Sequence, residues 1–127
     1  MDVVITLPRH LIDAISDGRK KIEIRKAKPI DFSPTVNKIY VCEKGTGLVK
    51  ICFTVNQFVR VWHTDDFWES YGKLLCIPKS WYDKYTENRK NIYAWVIKEV
   101  WCFKKPTGLY ECLGVPYAPQ SFTYVKI

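Results

Sequence analysis

Between residues 18 and 26 the chain reads GRKKIEIRK, and its IEIR segment alternates as a short strand does. Successive strand side chains point to opposite faces, so Ile22 and Ile24 turn one way while Lys21, Glu23 and Arg25 turn the other. Arg25 offers a planar fork for a phosphate or a carbonyl edge, and Glu23 an acceptor for the amino group of a base. On an open surface the same residues would form only a salt bridge worth less than about 1 kcal/mol. The residue types alone leave both readings open.

The surrounding elements must decide how such residues are held. VVITL ahead of Pro8 is β-branched and predicts a strand; Leu11, Ile12 and Ile15 recur at helical spacing until Gly18, a natural helix stop. After a loop at Pro29–Pro34, KIYVCEK and LVKICFTVNQFVRVW predict two strands joined by the GTG turn at 45–47 as an antiparallel hairpin. That G-x-G has no helix after it, which favours a turn over a phosphate loop. TDDFWESYGKLL, with Thr64 as N-cap, and IPKSWYDKYTEN, with Pro78 in the first turn, predict two short helices. NIYAWVIKEVWCF predicts a central strand broken by Pro106 and Gly108, and SFTYVKI a last one. About six strands and about three short helices without regular alternation indicate an α+β domain: a small, partly closed barrel of mixed strands.

A chain of 127 residues suits a single domain, residues 1–127. Twenty Lys and Arg against 13 Asp and Glu give a net charge of +7, and residues 19–28 alone carry six bases and one acid. A polyanion is the natural partner for that excess; a merely basic, soluble surface is the other reading. The five cysteines, at 42, 52, 76, 102 and 112, form no C-x-x-C pair and leave an odd one over, which fits reduced thiols in a cytosolic protein better than a zinc site or a disulfide framework. His10 and His63 have no companions at metal-ligand spacing, so neither a metal nor a cofactor is expected. Cys42 reads as buried packing rather than a nucleophile. The N-terminal MDVVITLPRHLIDAI has no long apolar run, so neither a signal peptide nor a membrane span is expected.

Gly18, Lys20, Glu23 and Arg25 also match G-x-K-x-x-E-x-R, and in this the chain resembles the ASCH domain family, whose fold is like that of the RNA-binding PUA domains. The motif sits between a first strand and helix and a second strand, as it does in that family. APQSFTYV, residues 118–125, resembles the closing segment of small single-domain ASCH proteins, many of them from phages and prophages. The resemblance implies a PUA-like barrel with a cleft into which Lys20, Glu23 and Arg25 project. Their charges sum to +1, so they can pair with one another and still favour an anion. Lys26 of the basic stretch is expected to assist. Gln120 and Ser121 either reach the cleft with amide and hydroxyl or only fix the entry of the last strand; Tyr93, Trp95 and Tyr124 are expected in the core or the cleft wall.

The leading expectation is a domain that recognises RNA or a modified nucleoside or nucleotide. A hydrolase at the same cleft is the alternative, with Lys20, Glu23 and Arg25 as its catalytic groups. Some small bacterial ASCH proteins hydrolyse the acetyl amide of N4-acetylcytidine, and the resemblance implies a Lys, matched by Lys20, working with a Thr three residues later and a Glu; here that later position is Glu23, so the hydroxyl is missing, and no motif places the Glu. Another ASCH protein is connected with cleavage of single-stranded RNA, for which Lys20, Arg25 and Ser121 would serve. A third expectation, from another class, is a phage-type protein that binds a host protein through its aromatic 58–85 region.

Overall fold

The computed structural model describes residues 2–29, 37–88 and 91–125. Most of the Pro29–Pro34 loop and the last two residues of SFTYVKI lie outside them. In chain order the elements are β1 (Asp2–Leu7), α1 (Arg9–Ser16), β2 (Ile22–Arg25), β3 (Ile39–Glu43), β4 (Leu48–Arg60), α2 (Thr64–Tyr71), a 3-10 turn (Gly72–Leu75), α3 (Lys79–Thr86), β5 (Tyr93–Gly108), α4 (Leu109–Leu113) and β6 (Phe122–Val125). The strands form one sheet in the order β2-β5-β4-β3-β1-β6. Among the described residues only β1 and β3 pair in parallel; the other neighbours are antiparallel, so the sheet is mixed as expected.

The sheet curls around α1. Leu11, Ile12 and Ile15 bury one stripe of that helix against Val3, Ile5, Ile39, Val41, Phe53 and Trp95. Pro8 starts the helix in an extended conformation, and Gly18, with φ of +85°, ends it in a left-handed turn that L side chains avoid. On the opposite face of β2 and β5, Ile22, Ile24 and Ala94 pack against Leu75 and Tyr82 of the α2–α3 segment. A third cluster joins Val4, Cys42 and Val49 to Leu109 and Val115 around α4.

Three expectations need correction. Thr64 is the first helical residue and His63 occupies the N-cap. Pro78 is likewise the cap rather than a residue of the first turn. Pro106 does not break the fifth strand, which runs on to end at Gly108, where it pairs with Leu48. The register passes from Val49↔Thr107 to Ile51↔Cys102, so Pro106 falls in a bulge where the ladder asks no N–H of it.

Candidate functional site

The left-handed turn at Gly18 lets the chain leave α1 and enter β2 within a few residues. The Lys20 amide donates back to Ala14 O at 2.9 Å, which sends the Lys20 side chain inward; Lys21, expected on the charged face, is exposed and precedes the strand. Lys20, Glu23 and Arg25 are 2%, 6% and 9% exposed. Glu23 bridges the two bases: Oε1 lies 3.2 Å from Lys20 Nζ and Oε2 2.8 Å from Arg25 Nε.

The remaining donors go to backbone carbonyls. Lys20 Nζ donates to Leu75 O at 2.7 Å, and Arg25 donates to Ser121 O at 3.0 Å and Thr6 O at 3.3 Å. β2 and β6 are the two edges of the sheet, so Arg25 spans the gap between them. The curl leaves this seam without a ladder, and the guanidinium fork supplies directed bonds in its place.

Burial works to raise the Glu23 carboxyl, but Lys20 and Arg25 outweigh it by charge and hydrogen bonding and hold it below the ordinary carboxylate range. Glu23 is therefore ionised at neutral pH, and the cluster carries a net +1.

Beneath the cluster lies Trp95, fully buried and opposite Glu23 in the β2–β5 register, with its indole N–H donating to Ala27 O at 3.2 Å. Tyr93 stands opposite Arg25 and is partly exposed. Tyr124 packs partly buried against the core.

Lys26 does not join the cluster; its Nζ lies 5.3 Å from the Tyr85 ring of α3. β6 pairs with β1 rather than β2, and Ser121 faces the cluster with its carbonyl. Gln120 is exposed. Cys42 is buried in the third cluster, where burial pushes its thiol up, and all five cysteines are free. His10 is exposed on α1. Two open depressions of about 620 and 660 Å³ lie over α2, α3 and the 3-10 turn, and no motif residue lines either.

The sequence did not reveal the three carbonyls of Thr6, Leu75 and Ser121, because only the curl and the packing of the 3-10 turn bring them to the motif.

Against solved structures the fold has clear counterparts. The crystal structure of ASCH from Zymomonas mobilis matches with a TM-score of 0.83 at 21% identity, covering 98% of this chain and 87% of that one. A serine-to-alanine variant of the same protein gives 0.84 at 20% identity, covering 98% and 88%. The chain has the ASCH-domain fold. No protein-family model matches the sequence, and no curated protein matches it. The PUA-like α+β architecture anticipated from the motif is thus present over nearly the whole chain. Among the described residues, no helix is long and apolar enough to cross a membrane.

Proposed function

We propose that this ASCH domain recognises RNA or a nucleotide at the Lys20–Glu23–Arg25 cluster, with a phosphate drawn to the bases and a base edge to the Glu23 carboxylate. The observation that carries this reading is the burial of two cations on one anion at the unladdered seam of the sheet. Burying charges costs desolvation that apolar residues of similar volume would avoid, so such a cluster is weak support for stability and better support for a role. Its net positive charge at an unladdered edge suits an anionic ligand, in keeping with the +7 of the whole chain. The five free thiols fit a reducing, cytoplasmic setting.

Fluorescence anisotropy with labelled single-stranded RNA and with nucleoside monophosphates tests the proposal. Lys20→Ala and Glu23→Gln, each checked for native circular dichroism, are expected to lose about tenfold in affinity for at least one of these ligands. Unchanged affinity for every ligand in both variants would remove the cluster as the site.

A second reading has one specific observation behind it. Lys20 Nζ is held between a carboxylate and a carbonyl, which fixes one ammonium at a defined point of the cluster, where a hydrolase would need a positioned cation. A hydrolase at this cluster would release product from N4-acetylcytidine or cut labelled single-stranded RNA. Chromatography showing no turnover above a Lys20→Ala control would dismiss it.

A further inference from the structure

Cross-strand pairing sets three side chains in a row on one face of the sheet: Arg25 of β2 opposite Tyr93 of β5, and Tyr93 opposite Arg60 of β4. With strands about 4.8 Å apart, the backbone positions of the two arginines are separated by roughly 10 Å. Just past the end of β4, Val61 packs into the cluster under α2 and α3, and Trp62 lies against Arg60. The Arg60 guanidinium carbon lies 4.2 Å from the Trp62 ring centroid and 5.6 Å from that of Tyr93, while Lys28 Nζ stands 5.8 Å from Tyr93. Trp62 nevertheless remains 73% exposed.

A large indole is rarely left so open, and this one is braced from one side by a cation instead of by the core. An indole held in place with a face toward solvent is a stacking platform, and the bases around it are phosphate ligands. Alternating aromatic rings and cations are what a nucleic-acid strand of any sequence requires, since every base has a π-face and every linkage a phosphate.

We infer that Tyr93, Arg60, Trp62 and Lys28 form a track that carries a single nucleic-acid strand away from the Lys20–Glu23–Arg25 cluster, with a base stacked on Trp62 and phosphates on Arg60 and Lys28. The track rests on the nucleic-acid reading of the cluster and extends it from one nucleotide to several. It makes affinity depend on ligand length. A mononucleotide engages the cluster alone; an oligonucleotide engages both.

The probes are uridine monophosphate and a uridylate hexamer, titrated by anisotropy or competition against wild type, Trp62→Ala and Trp81→Ala. Trp81 is an exposed indole on α3, outside the row, and serves as control. Wild type is expected to bind the hexamer at least tenfold more tightly than the monomer. Trp62→Ala should lose about tenfold of that advantage, and Trp81→Ala none of it. An undiminished length advantage in Trp62→Ala overturns the track, as does an equal loss in Trp81→Ala. If Trp62→Ala loses the advantage while cluster variants bind as wild type does, the track stands and the cluster proposal falls. No hexamer binding by wild type overturns the track, whether or not the monophosphate still binds the cluster.

Discussion

Arg25 donates to the carbonyl oxygen of Ser121, 96 residues further along the chain, at 3.0 Å. A side chain thereby ties together the two edges of a six-stranded sheet that no backbone ladder closes. The same guanidinium serves Glu23 and Thr6 O, so its loss unpairs a buried carboxylate oxygen and two carbonyls at once. Arg25→Ala should therefore lower unfolding stability by about 3 kcal/mol, within the range for breaking one partner from a buried pair. Arg25→Lys keeps the charge without the fork and should fall between Ala and wild type. Urea unfolding measures both, and a shift under about 1 kcal/mol in Arg25→Ala would contradict a role in closing the seam.

Glu23 makes stability depend on pH in a definite direction. Its folded pKa lies below the 4.5 of an unperturbed glutamate, because Lys20 and Arg25 prevail over burial. Protons therefore bind the unfolded chain more readily, and the contribution of the carboxylate is complete above about pH 4.5 and lost as pH falls through the folded value. Glu23→Gln has no such proton to take up. Between about pH 5 and pH 2.5, the urea midpoint of wild type should drop further than that of Glu23→Gln; parallel acid limbs would show that Glu23 is not the titrating group.

Gly18 opens the motif for a conformational reason. Its φ of +85° costs any other residue strain, whereas a Cβ there would meet only Lys21 Nζ at an ordinary 3.6 Å. Gly18→Ala is expected to destabilise by about 1 kcal/mol through the backbone alone, and Gly18→Asn by less, since Asn tolerates the left-handed region better. Thermal melts in the order glycine, asparagine, alanine would support this account; equal melts would not.

Local chemistry made much of this fold legible in the sequence, and long-range closure made the rest illegible. The alternation of Ile22, Glu23, Ile24 and Arg25 announced both the strand and its two faces, because a period of two is a property of the backbone itself. Strand alternation alone, however, selects Lys21 as the third charged residue; the turn at Gly18 and the bond from the Lys20 amide to Ala14 put Lys20 there instead. Pro106 looked like a strand end because nothing local reveals a bulge in the partner register. Arg60 and Trp62 drew no notice as a pair for the same reason: their neighbours Tyr93 and Arg25 lie on strands distant in sequence, and only the register aligns them.

Lys28 permits a test of the strand track that leaves the core untouched, since its side chain is exposed and its contact is with the Tyr93 ring. Each phosphate neutralised on a single strand contributes about −0.7 to the slope of log affinity against log salt. If Lys28 neutralises one phosphate of a bound oligonucleotide, Lys28→Ala should weaken hexamer binding at low salt and make that slope shallower by about 0.7. The two salt dependences should converge as added ions screen the charge. Parallel slopes for wild type and variant would place Lys28 off the path of the strand, and the phosphate contacts would then have to come from Arg60 and the cluster alone.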